Sequence, residues 1–181
     1  TLGADGFVMN DDNRSVFINA ASRVSPLAVF GHELTHLLKR DNPQAYAALQ
    51  AVVERELGEG AMDRFEQEYG AGADIEELTS DLMGNRFQEA DFWQSVFDEI
   101  AAQNPEGARG VINRLVAAIN RAVNAFLKVV RQPGFQADQY VKDLNAVKAA
   151  VRQALMQPLM SLLHWRQVQA CPVMWSFIPW V

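Results

Sequence analysis

The sequence lacks most features of secreted, membrane-spanning or fibrous proteins. It has a single cysteine, Cys171, so no disulfide can form within the chain, which fits a reducing compartment. No charged leader followed by an apolar core opens the chain. Arg166, Gln167 and Gln169 divide the apolar carboxyl-terminal stretch, so it is no standard membrane span. These absences predict a cytoplasmic protein.

The composition is that of an ordinary globular domain. With 181 residues, of which 49% are hydrophobic and 21% charged, the chain can bury one core. We expect this domain to cover residues 1–160. Residues 161–181 differ, since they hold Trp165, Trp175 and Trp180 and show no clean period. We expect this tail to pack over the domain or to be disordered, with contact to a membrane surface or a partner as the alternative.

The formal charge of −6 is unevenly distributed along the chain. Residues 1–100 hold 19 acids and 7 bases, whereas residues 101–181 hold 3 acids and 9 bases. Docking of the basic part against the acidic part is the simpler explanation. Nucleic-acid binding is not expected, because a denser basic cluster with interleaved aromatic residues would be typical of it.

Capping and turn signals predict one short strand followed by a series of helices. The run Ser15-Val16-Phe17-Ile18 follows a turn-rich stretch and predicts the strand. Ser25-Pro26 and Asn42-Pro43 are typical helix starts. Further helices are predicted over about 61–69, 74–87, 91–102, 105–131 and 138–156. The fold class is therefore α+β and predominantly α-helical, with a short β element before the helix that begins near Pro26.

That helix carries the motif His-Glu-x-x-His at His32, Glu33 and His36. A spacing of four residues puts both imidazoles on one face, roughly 5–6 Å apart at their Cβ atoms, where they can converge on one metal ion. Glu33 lies about 100° further round, where its carboxylate can reach a water on the metal. The motif predicts a Zn²⁺ site with Glu33 as general base, and a chance match in a surface helix is the alternative.

A catalytic zinc needs a third protein ligand, and the best candidate lies in the acidic run that follows Asp74. Glu77 and Asp81 are four residues apart and share a helix face. Glu77 can therefore bind zinc while Asp81 accepts a hydrogen bond from a zinc-bound imidazole. Glu76 is the competing ligand, but its neighbour four residues on is Ser80, a poorer acceptor.

His32-Glu33-x-x-His36 followed by Glu77-x-x-Ser80-Asp81 resembles the gluzincin metallopeptidases. The resemblance implies a zincin-like core, Glu77 as third ligand and Asp81 as the residue that orients the first histidine. Residues 5 to 155 also resemble, more loosely, metallopeptidase domains in large polyvalent proteins of phages and conjugative elements, and somewhat the repressor-cleaving metallopeptidases. The chain departs from the thermolysin pattern because about forty residues separate His36 from Glu77.

The resemblance implies a zinc-dependent metalloendopeptidase in a bacterium, or one delivered by a phage or mobile element. We expect it to cut a narrow range of intracellular proteins, such as a repressor or host factor. A non-catalytic zinc-stabilised interaction module of a larger protein is the alternative. An oxyanion donor is also needed. Tyr69 is the first candidate, although a packing role is the simpler one for it, and Tyr46, Arg86 and His164 complete the pool.

Overall fold

The computed structural model describes residues 6–8, 16–18, 26–58, 60, 63–64, 67, 86–130 and 137–157. Its elements are β1 (Gly6–Val8), β2 (Val16–Ile18), α1 (Pro26–Asp41), α2 (Pro43–Leu57), a 3₁₀ turn (Arg86–Gln88), α3 (Ala90–Gln103), α4 (Ala108–Val130) and α5 (Ala137–Leu155). The described part of the chain is thus predominantly α-helical, as the sequence predicts. Most of the helices predicted over 61–69 and 74–87, and the whole tail 161–181, lie outside the described residues.

Proline fixes where the first two helices begin. α1 starts at Pro26 and α2 at Pro43, the positions that the sequence predicts, because proline has a helix-compatible φ and no N–H that a first helical turn would leave unpaired. α2 ends before Gly58, whose φ of 76° lies in a region that favours glycine. Phe87, placed by the sequence at the end of a helix, lies instead in the 3₁₀ turn.

β1 and β2 pair antiparallel, with Phe7 opposite Phe17. β2 lies within the run that the sequence predicts as strand, and β1 was not expected. β1 contacts α1 and β2 contacts α4, so the pair lies against the helices rather than apart from them.

The helices share one hydrophobic core. α1 packs against α2, α4 and α5, while α3 packs against α2, α4 and α5. The largest side chains that are completely or almost completely buried come from α1 to α4 and from the 3₁₀ turn: Phe30, Leu34, Leu38, Leu49, Phe87, Phe92, Trp93, Phe97, Ile100, Leu115, Ile119 and Phe126. α5 adds Leu144 and Val147. Among the described helices, none is long and apolar enough to cross a lipid bilayer.

Asn42 fixes the corner between α1 and α2. Its side chain is buried and its Nδ2 donates to the backbone oxygen of Val111 in α4 at 3.2 Å. Its backbone N–H donates to the oxygen of Leu38, and its own oxygen accepts from Tyr46. Because a buried amide is costly without partners, these bonds determine how α1 and α2 meet above α4.

Arg55 of α2 and Glu99 of α3 form an ion pair, and this hydrogen bond is the largest cause that lowers the pKa of the Glu99 carboxyl. A lowered folded-state pKa stabilises the protein above the ordinary value of 4.5, and the contribution is lost as the pH falls through the folded-state value. We expect Arg55→Gln to lower the free energy of unfolding by less than about 1 kcal/mol at pH 7, because Arg55 is largely exposed. Urea denaturation at pH 7 and pH 3 checks this, and an equal loss at both values would contradict it.

Candidate metal centre

The His-Glu-x-x-His motif lies in the middle of α1 and is helical throughout. Leu27, Leu34 and Leu38 mark the face of α1 that packs into the core, and all three are buried. The helical register places residues 32 and 36 about 160° from Leu34, on the opposite face. His36 is exposed there, whereas the side chain of His32 is not among those that the structure describes. The side chain of His36 is therefore not part of the hydrophobic core.

Glu33 occupies the flank of α1 between these two faces. Its side chain is only 6% exposed, unlike that of His36 one turn further along the helix. Electrostatic interactions are stronger for a group shielded from bulk water. The motif thus combines a sheltered carboxylate with a histidine that solvent can reach, a combination suited to a site that is closed on one side and open on the other.

Gly31, directly before the motif, is in close contact with Phe87. A Cβ atom built on Gly31 would lie 2.6 Å from Cε2 of the Phe87 ring, far inside van der Waals contact. Only glycine therefore lets the ring approach the backbone of α1 at this point. The contact holds the 3₁₀ turn against α1 at Gly31, the residue that precedes His32.

Neighbouring aromatic rings hold Phe87 in this position. Its ring stacks on Trp93 with centroids 5.4 Å apart, and Phe30 meets it edge-on at 6.4 Å. Trp93 Nε1 also donates to the backbone oxygen of Phe87 at 2.8 Å. Both the ring and the backbone of Phe87 are thus fixed beside α1.

Arg86, the preceding residue, ties the 3₁₀ turn to α2. Its guanidinium donates to both carboxylate oxygens of Glu56, at 2.9 and 3.1 Å, and also pairs with Glu89. The hydrogen bond to Glu56 is the largest cause that raises the pKa of Arg86. Two parallel bonds of this kind add geometric specificity to the charge attraction. Glu56, near the end of α2, and Arg86, at the start of the 3₁₀ turn, are therefore neighbours in space although thirty residues separate them in the chain.

This segment contains Tyr69, Glu77 and Asp81, which lie outside the described residues, as does Glu76. Glu77 precedes Phe87 by ten residues in the chain. Ten residues span about 15 Å even when fully helical, and more in any extended form. A segment of this length does not by itself prevent Glu77 from approaching α1.

Two members of the oxyanion pool have other partners. Arg86 is held by Glu56 and Glu89, as described above. Tyr46 is buried in α2, where its hydroxyl accepts from Gln50 Nε2 at 2.9 Å and Lys39 lies over its ring. Tyr69 and His164, the remaining members, lie outside the described residues.

Zinc fits the donor set that the motif offers. Two imidazoles and one carboxylate are a ligand set of catalytic zinc, and the exposed side chain of His36 is accessible to an ion from solvent. The described side chains alone include no group of three histidine, cysteine or acidic residues that could hold a metal ion. The predicted third ligand, Glu77, lies outside the described residues.

The chain matches no protein-family model, and no curated protein or solved structure shows significant similarity to it.

Proposed function

We propose that the chain is a gluzincin-type zinc metallopeptidase that binds Zn²⁺ through His32, His36 and Glu77. The placement of the motif on α1 carries the proposal. The helical register puts residues 32 and 36 on one face of α1, and Glu33 is buried on the neighbouring flank. A purely structural zinc site has no use for such a carboxylate, which favours catalysis.

The proposed residues divide the work of peptide hydrolysis. When bound, zinc acts as a Lewis acid and makes water more acidic. Glu33 accepts the proton of the attacking water and later donates it to the leaving amine. Asp81 accepts a hydrogen bond from a ligand histidine, which fixes the tautomer of its ring. Tyr69 remains the first candidate for stabilising the negative charge on the substrate oxygen.

We infer that the substrates are a narrow range of intracellular proteins, following the resemblance to repressor-cleaving and mobile-element metallopeptidases. The test is cleavage of a proteome-derived peptide library by the zinc-loaded chain, analysed by mass spectrometry. We expect cleavage at a restricted set of sites, abolished by a chelator and restored by added zinc. Zinc binding without any cleavage would favour the interaction-module alternative.

Arg86→Gln should weaken zinc binding. It removes the ion pair with Glu56 that holds residue 86, nine residues after the proposed ligand Glu77, against α2. A partly exposed pair of this kind contributes up to about 1 kcal/mol, which corresponds to roughly a fivefold weaker zinc affinity. Competition with a chromophoric chelator measures the dissociation constant.

Arg55→Gln is the matched control, since it removes another arginine of a surface pair that does not involve the 3₁₀ turn. Equal zinc affinity in wild type, Arg86→Gln and Arg55→Gln would show that the Arg86–Glu56 pair does not position a ligand.

A further inference from the structure

The exposed face of α4 carries a line of cations. Arg114, Arg121 and Lys128 are spaced seven residues apart and all three are exposed. Seven residues make almost two turns, so successive cations lie about 10.5 Å apart along the axis, and the line extends over about 21 Å. We call these three residues the basic face of α4.

No acidic residue interrupts this face, because α4 contains no aspartate or glutamate in its 23 residues. α5 adds a further cation, since Lys148 Nζ lies 3.3 Å from Oδ1 of Asn124, which is exposed between Arg121 and Lys128. Lys148 therefore adds one positive charge beside the line of cations on α4.

All the ion pairs found among the described residues involve side chains from the stretch 40–99. None of them involves Arg114, Arg121, Lys128 or Lys148. From the charge distribution we expected the basic part of the chain to dock against the acidic part. Among the described residues, the basic face of α4 makes no such contact. Within the described ranges, these four cations therefore have no ion-pair partner.

The residues between the cations indicate which anionic partner fits. The other exposed residues of α4 whose burial is described are Arg109, Gly110, Asn113, Ala117 and Asn124, so this part of the face offers basic, small and polar groups and no large apolar side chain. Protein interfaces have an apolar or aromatic centre, and membrane-surface helices insert apolar residues. Nucleic-acid interfaces are instead polar and strongly positive, and asparagine side chains can donate to phosphate oxygens.

Although the sequence alone did not predict nucleic-acid binding, we propose that the basic face of α4, together with Lys148, binds the phosphodiester backbone of nucleic acid without regard to base sequence. Phosphate groups repeat evenly along a nucleic-acid strand, so a line of cations can pair with them at any position along it. Binding should be electrostatic, with a slope of log K against log salt of about −3 to −4 for four phosphate contacts. This function does not depend on the zinc site.

The test is fluorescence anisotropy of a labelled 20-base-pair DNA duplex with the full chain, in EDTA and at 50 to 200 mM salt. We expect measurable binding at 50 mM salt. The variant Arg114→Gln/Arg121→Gln should bind more than tenfold more weakly at 50 mM, with a salt slope smaller by about 2.

Arg40→Gln/Arg55→Gln is the matched control, because it changes the net charge equally by removing exposed arginines from α1 and α2. It should leave DNA affinity within about twofold of wild type. Absence of duplex binding at 50 mM salt, or equal losses in the two double variants, would overturn the proposal. So would displacement of the duplex by polyglutamate as effectively as by unlabelled DNA, since that would identify an acidic protein as the partner.

Discussion

Glu33→Gln should abolish peptide hydrolysis while zinc stays bound. The amide has nearly the shape of the carboxylate, so the sheltered position on α1 remains filled, but it cannot accept the proton of the attacking water. General base catalysis contributes about 10²- to 10⁴-fold, and we expect kcat/KM to fall by that factor. Glu33 is not a proposed ligand, so zinc should remain at one per chain. Peptide kinetics and metal analysis of the same samples measure both.

Glu54→Gln is the matched control for this change. Glu54 is an exposed glutamate on α2, and the same substitution there should leave activity and zinc content unchanged. If Glu33→Gln retained wild-type kcat/KM, Glu33 would not be the base. If the variant lost its zinc, the lost activity would have to be attributed to the metal site instead.

Gly31→Ala should destabilise the protein and weaken zinc binding together. The added methyl group would lie 2.6 Å from the Phe87 ring, which is held by Trp93 and Phe30 and has little room to move. Overpacking costs about 1–3 kcal/mol, and the higher helix propensity of alanine offsets up to about 1 kcal/mol of this. We expect unfolding to become easier by about 1–2 kcal/mol, and zinc affinity to fall at least as far as in Arg86→Gln.

Gly110→Ala provides the contrast, because Gly110 is also helical but the space beside it is open. Its nearest neighbour to an added Cβ is the end of the flexible Arg114 side chain at 3.6 Å. There the propensity gain should dominate, so urea denaturation should show an unchanged or more stable protein. A Gly31→Ala variant as stable as Gly110→Ala would contradict a tight contact between Gly31 and Phe87.

Local signals predicted the positions of the described α-helices well. Proline at positions 26 and 43 fixes helix starts by its own backbone geometry, and Gly58 ends α2 for the same kind of local reason. The four-residue spacing of His32 and His36 depends only on α1 being helical. These features need no knowledge of what the helix packs against, which is why the sequence alone could indicate them.

The contacts that hold the 3₁₀ turn against α1 and α2 could not be predicted in this way. Gly31 precedes the motif and Phe87 follows the acidic run, but nothing local indicates that the ring of one lies on the backbone of the other. Arg86 was considered as an oxyanion donor because arginine can serve that role. Its partner Glu56 lies thirty residues away in the chain, so only the tertiary structure reveals that the guanidinium is already engaged.

Zinc-edge X-ray absorption on the full chain, reconstituted with one equivalent of zinc, tests the central claim most directly. The account predicts four light ligands at about 2.0–2.2 Å, two of them histidine nitrogens, with water in the open position. His36→Ala should lose one of the two histidine contributions. A chain that retains no zinc after dialysis, or a shell without two histidines, would contradict the account.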